Sequence, residues 1–313
     1  MWLLAIFGSA SAFVESTLAQ IYKIKDGSSY RGGPAYYIEQ ALKKRWLGIL
    51  FSILLITCFG FVFNSVQANT IANSFDKAFG IQPWMTGAVI AASTAIIIFG
   101  GVRRIAHVTE FLVPIMAVAY LCVVGYVFIT NIHMVPYVFS LIFKGAFGLT
   151  QFTGGLAGVT MKVILQTGIA RGLFSNEAGM GSAPNAAATA ETSHPVKQGL
   201  IQAMGVFFDT LVICSATAFI VILAGKYSSS GYEGVQLTQE SLSLFVGNWG
   251  NSFIAICILF FAYSSILGNY YYGETNIEFM NSKKNMAVNI PLSCHSNGFI
   301  RLSTKSFCSL EHG

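Results

Sequence analysis

Charge is what this sequence lacks most. Asp, Glu, Lys and Arg make up 10% of its 313 residues, where a soluble globular domain carries about 25%. That deficit excludes an ordinary water-soluble fold. With 54% hydrophobic residues and a mean hydropathy of +0.62, the chain reads as a membrane protein. The net charge of +5 is spread through short loops between apolar runs, so there is no basic face for nucleic acid. CxxC, HExxH and the GK[ST] ending of a P-loop are all missing, which argues against metal centres and an ATP-driven pump. Cys58, Cys122, Cys214 and Cys257 fall inside apolar runs and read as small packing residues. His107, His133 and His194 sit at the edges of such runs without forming a cluster. Met1 is followed by neither a positive n-region nor a small-residue cleavage site, so the first run is no signal peptide.

What remains is a series of apolar stretches, each near the ~20 residues needed to cross a bilayer. Seven are expected: 1–21, 47–75, 84–100, 111–130, 154–191, 196–223 and 249–272. The piece VFSLIFKGAF within 131–152 reads as an amphipathic helix at the interface, and 226–247 as a polar loop with a short helix. Lys and Arg collect after the first, third, fifth and seventh spans, which the positive-inside rule places in the cytoplasm and Met1 outside. Such a start reads as the middle of something, with a helix expected upstream. Periodicity stops near Asn281, leaving 281–313 as a tail. Either it is a disordered cytoplasmic tail or the reading frame is lost there; the cut just after a well-formed helix favours frame loss.

The fifth span stands apart. RGLFSNEAGMGSAPN, Arg171 to Asn185, interrupts it with Gly172, Gly179 and Gly181, with polar Ser175, Asn176, Glu177 and Ser182, and with Pro184 to restart a helix. Unwound backbone survives at membrane depth only where protein or a water-filled cavity satisfies it. A first half ending near Phe174 directs its negative dipole end inward, and a second half starting near Pro184 its positive end. A small zwitterion matches both ends. Phe174 could cap it, and the glycines leave room only for a small side chain. Arg171 and Glu177 flank the break as gate or scaffold residues, and Asp209 in the sixth span reads as a buried hydrogen-bonding group or, alternatively, a proton relay. Gln67, three residues after Asn64 on one helix face, suits either a substrate contact or an interhelical hydrogen bond. Ser264 and Ser265 with the Phe261 carbonyl form a hard oxygen set for Na⁺, or simply bond back to their own turn. GGLAG, from Gly154 to Gly158, is a small-residue packing motif.

RGLFSNEAGMGSAPNAAA (Arg171 to Ala188), HPVKQGLIQAMGVFFDTLVICSATA (His194 to Ala218), RGGPAYYIE (Arg31 to Glu39) and MWLLAIFG (Met1 to Gly8) resemble the alanine/glycine:cation, or sodium:alanine, symporter family over roughly Met1 to Phe279. The resemblance implies an all-α multi-pass membrane protein carrying helices two to eight of a LeuT-type inverted-repeat fold, truncated at both ends, in a bacterial plasma membrane. It implies Phe174, Ser175, Asn176, Gly179 and Gln67 as substrate residues, and Ser264, Ser265 and Phe261 as the cation side. The expected activity of the intact parent is symport of alanine or glycine with Na⁺ (H⁺ is possible), without other cofactor, nucleotide or nucleic-acid partner. The alternatives are a non-transporting remnant and, from another class, an intramembrane enzyme using Glu177 and His194 as acid and base.

Overall fold

The computed structural model describes residues 1–26, 29–98, 101–147, 157–225 and 231–281. The described residues pack as one unit. The tail from 282 onward, Lys226 and Gly154–Leu156 of the GGLAG motif lie outside the described residues.

Helices follow wherever long apolar runs leave the backbone no other partner than itself. They are α1 (Trp2–Ile21), α2 (Pro34–Leu42), α3 (Arg45–Leu55), α4 (Asn64–Phe79), α5 (Pro83–Ile98), α6 (Gly101–Thr130), α7 (Val135–Phe147), α8 (Ala157–Asn176), α9 (Ala183–Ala187), α10 (Pro195–Phe208), α11 (Ser215–Ala224), α12 (Gly234–Val246) and α13 (Trp249–Asn281). The only strands among the described residues are β1 (Ile24–Asp26) and β2 (Ser29–Arg31), an antiparallel pair with Ile24 opposite Arg31.

Among the described residues, five helical runs are long and apolar enough to cross a membrane: Trp2–Ile21, Arg45–Phe79, Val113–Thr130, Pro195–Ala224 and Trp249–Asn281. Two of the seven expected spans, 84–100 and 154–191, include residues outside the described ones. Of the third, the described helix α5 is 16 residues, about 24 Å. The fifth, α8, carries Lys162, Gln166, Arg171 and Asn176, which dilute its apolarity. The basic connection after α1 also holds more than a loop, since the β1–β2 hairpin and α2 occupy it, α2 opening on Pro34 in its first turn.

Large apolar side chains face outward as a lipid-bathed protein requires: Leu3 is 75% exposed, Phe7 72% and Ile129 71%. Contacts between helices instead use small residues. Ala5, Ser9, Ala12, Ser16 and Ala19 form a buried stripe on α1 against α10 and the region around α9. At Gly199 of α10 the backbone of α1 comes so close that a Cβ would lie 2.9 Å from the Phe13 carbonyl oxygen. The other organiser is α13. Its 33 residues make ~50 Å of helix. One end packs with Tyr120 and Val127 of α6, Ile220 of α11 and Leu242 of α12. Its middle packs with Ile71 of α4 and Ile90 of α5.

Two spans contain a wide π-helical segment, Ile56–Phe63 between α3 and α4 and Asp209–Cys214 between α10 and α11. Nothing in the periodicity marks them, because one extra residue per turn leaves a uniformly apolar run looking the same.

Candidate functional site

The break is where the backbone leaves the right-handed region three times in five residues. Glu177 has φ 50°, Gly179 82° and Gly181 78°. No right-handed helix continues through such angles, so α8 ends at Asn176 and the chain turns, with the Met180 N–H donating to the Glu177 carbonyl at 3.2 Å. The first half runs two residues beyond the expected Phe174, and α9 restarts at Ala183 with Pro184 in its first turn. Glu177 is the one non-glycine among the three. Its Oε2 accepts a hydrogen bond from Ser182 Oγ at 2.7 Å, which ties the two lips of the break together.

Two polar partners reach the break from other helices. The Gly179 N–H donates to Oε2 of Glu15, on α1, at 3.2 Å. Ser175 Oγ donates to Asp209 Oδ2 at 2.6 Å and lies 3.0 Å from Cys214 Sγ. Asp209 and Cys214 open and close the π segment, whose wide turn sets residues five apart on one face. Glu15 is missed by sequence reasoning, although a lone acid within an apolar run is a signal in itself.

Beside this lies a cavity of about 140 Å³, lined among others by Ala12 of α1, Ser175 and Asn176 of α8, Ala183 of α9, and Gln202 and Asp209. Asn176 Oδ1 accepts the Ala178 N–H at 3.2 Å, while its Nδ2 is buried without a hydrogen-bond partner. Gly8 permits that packing, since a Cβ there would sit 3.3 Å from Asn176 Nδ2 and 3.2 Å from Ala178. Gln202 is the other side chain missed from sequence; its one trace is a single amide in LIQAMGVFF.

The expected substrate residues do not all converge. Phe174 precedes Ser175 by one helical position, about 100° of rotation, and points to a different side of α8. There it stacks on Phe63 with ring centroids 4.7 Å apart and planes at 21°. Phe63 stacks on Phe59, which meets Tyr272 of α13 edge-on at 5.9 Å. Gln67 lies one turn beyond Phe63, half-buried, with no hydrogen bond among the described residues. Its neighbour Asn64 instead accepts from Asn269 Nδ2 at 2.9 Å. Arg171 is exposed and makes no ion pair among the described residues.

The oxygen set on α13 is compact. Ser264 Oγ and Ser265 Oγ both donate to the Phe261 carbonyl, at 2.8 and 3.2 Å. The hydroxyls thus bond back within their own turn, and each keeps its lone pairs for another partner. His194 caps α10, its Nδ1 accepting the Val196 N–H at 3.3 Å; no hydrogen bond joins it to Glu177.

Beyond the break, the far end of α9 is clamped to α1. Gln20 Nε2 donates to the carbonyls of Ala187 and Ala190 at 2.5 and 2.9 Å, and Lys23 Nζ donates to the Ala190 carbonyl at 2.7 Å. Burial lowers the pKa of Lys23 below the ordinary lysine value, with Glu191 pulling it partly back.

Lipid-facing apolar helices, together with a broken helix beside a cavity that Ser175, Asn176, Gln202 and Asp209 help to line, define a multi-pass integral membrane protein of transporter type. The chain belongs to the sodium:alanine symporter family, whose model matches residues 1–298. It is 56% identical over 286 residues to the probable sodium/glutamine symporter GlnT of Bacillus subtilis (strain 168), covering 91% of this chain and 59% of that protein. It is 52% identical over 284 residues to the amino-acid carrier protein AlsT of the same organism, covering 91% and 60%. The chain thus spans about 60% of the length of these relatives. The family is one of symporters, not enzymes, which removes the acid–base reading of Glu177 and His194.

Proposed function

We propose that this chain carries the amino-acid site of a cation-coupled symporter, with Na⁺ as the coupling ion and a small neutral amino acid as the solute. Asn176 carries the reading: at the end of α8 its amide nitrogen is buried without a hydrogen-bond partner, beside a cavity of about 140 Å³. A buried donor left unpaired costs about 1–3 kcal/mol, and a solute carboxylate would recover that. Asp209 Oδ2 already accepts from Ser175, and the second oxygen is available to the solute's ammonium group. The Phe63–Phe174 stack packs a different side of α8.

Sodium takes the three oxygens of Phe261, Ser264 and Ser265, and its binding favours the state that receives the solute. Alanine and glycine are the solutes this reading takes; glutamine, in the name of one relative, is the third solute to compare.

The test is equilibrium binding of labelled alanine, glycine and glutamine to the purified chain in sodium and in choline buffer. Asn176→Leu is expected to abolish alanine binding while membrane insertion persists. Equal binding in choline and sodium would refute the sodium assignment, and wild-type affinity in Asn176→Leu would refute the site.

A further inference from the structure

Where the chain leaves the break, two fully buried amides tie it to α13. Asn185 is 1% exposed and Asn276 fully buried. Asn185 Nδ2 donates to the carbonyls of Gly181 and Ser182 at 2.8 and 3.2 Å. Its Oδ1 accepts from Asn276 Nδ2 at 3.2 Å. Asn276 Nδ2 also donates to the Tyr272 carbonyl at 2.8 Å, and its Oδ1 accepts from the buried Ser52 Oγ at 2.9 Å. Both hydrogens of each amide are therefore used, and each amide oxygen has a donor. That satisfaction fixes the orientation, because flipping either amide sets NH₂ against NH₂ or oxygen against oxygen.

The surroundings are shaped to this pair. Gly33, at φ 132°, packs so closely on Asn185 that a Cβ would strike its Oδ1. Gly181 is held the same way, a Cβ there lying 2.9 Å from Pro34 and 2.6 Å from Phe51. On α13 the residues Ser265, Asn269, Tyr272 and Asn276 fall at i, i+4, i+7 and i+11, one stripe of a single helix. Eleven residues of helix put the oxygen set and Asn276 about 17 Å apart.

We propose that Asn185 and Asn276 are positioning residues: they set the Gly181 and Ser182 carbonyls by reference to α13, and so make amino-acid binding at the break respond to sodium on that helix. The second half of this statement rests on the symporter reading above; the first does not. A displacement or rotation of α13 at the cation set is carried rigidly to Asn276. Asn185 then has either to follow, dragging the break, or to lose a buried bond.

The experiment uses the purified full chain in detergent. Hydrogen exchange at the backbone amides of α9 and the turn before it is measured without ligand, and the sodium half-saturation for alanine binding is measured beside it. Asn276→Asp removes both donors when ionised and at least one when protonated, at almost unchanged volume, and leaves Asn185 Oδ1 or the Tyr272 carbonyl facing an oxygen without a donor. Exchange in the Gly181–Ala188 segment is expected to rise about tenfold, the effect of one buried acceptor left unpaired, and the sodium half-saturation to shift at least several-fold. Ser52→Ala, a milder variant, is expected to give a smaller change of the same kind. Asn269→Asp, on the same stripe but bonded to Asn64, is expected to leave exchange around α9 unchanged.

Wild-type exchange in Asn276→Asp, or an equal rise in Asn269→Asp, overturns the positioning role. Raised exchange with an unshifted sodium dependence overturns the coupling role. If the wild-type chain binds no amino acid in sodium while the exchange contrast holds, the positioning role stands and the symporter reading fails, taking the coupling role with it.

Discussion

Consider replacing Gly181 with alanine. Two separate costs meet at this position. The backbone sits at φ 78°, where a Cβ is opposed by the neighbouring carbonyl at about 1–2 kcal/mol. The new methyl would also lie 2.6 Å from Phe51 Cζ and 2.9 Å from Pro34 Cγ. Phe51 is half-buried and can swing aside, whereas the ring of Pro34 is fixed in the first turn of α2. Overpacking of this sort costs about 1–3 kcal/mol, so the total is about 3 kcal/mol. Two controls separate the terms. Gly80→Ala has φ 68° and nothing within 4 Å, and isolates the backbone cost. Gly179→Ala has φ 82° and meets only Ser11 Oγ at 3.2 Å, so it adds little to that cost. Thermal unfolding of the three purified variants in one detergent is the assay. The expected order of destabilisation is Gly181→Ala well above Gly179→Ala, with Gly179→Ala close to Gly80→Ala. Should Gly181→Ala melt with Gly80→Ala, the close packing of the break against α2 and α3 is wrong.

Two further outcomes test other contacts. Phe63 is 6% exposed, so Phe63→Ala is expected to cost about 3–5 kcal/mol; a double-mutant cycle with Phe174→Ala is expected to show a coupling of about 0.5–1.5 kcal/mol for their stack, and additive effects would deny the contact. Arg31 pairs with Asp26 at 2.5 Å, with Glu278, and with Glu274 at 3.7 Å, and these carboxylates are 46%, 47% and 27% exposed. Arg31 itself is only 12% exposed, so salt screens these pairs in part; Arg31→Gln is expected to lower the melting temperature more at low salt than in molar salt, and a loss independent of salt would mean the side chain acts by packing.

Much of this protein is legible without coordinates because a bilayer leaves the backbone so few choices. Apolar runs of sufficient length become helices, and the family motifs at Arg171–Ala188 and His194–Ala218 announce themselves. The break is legible too, since glycines, a proline and polar side chains gathered at membrane depth weaken a helix and draw water or protein to the freed backbone. Its limits are less so: Glu177, with an ordinary side chain, adopts φ 50° only because Ser182 and the turn hold it there.

Partners are what composition could not supply. Glu15 meets Gly179 across 164 positions of sequence, and Asn276 meets Asn185 across 91. A polar residue in an apolar run states only that it needs a partner. Which one it finds depends on how the helices cross, and that crossing is set by small-residue seams such as Ala5–Ala19 on α1. The π segments matter in the same way. By adding a residue to one turn they rotate Asp209 and Cys214 toward Ser175, and a run of uniformly apolar neighbours carries no trace of that rotation. The division of Phe174 from Ser175 is the converse case. The two are adjacent in sequence and share one expected pocket, yet helical geometry turns them about 100° apart, toward different partners. Sequence alone thus determined that the chain spans a membrane and where it unwinds; only the packing of helices against one another decided which side chains meet there, because that depends on shape at contacts far apart along the chain.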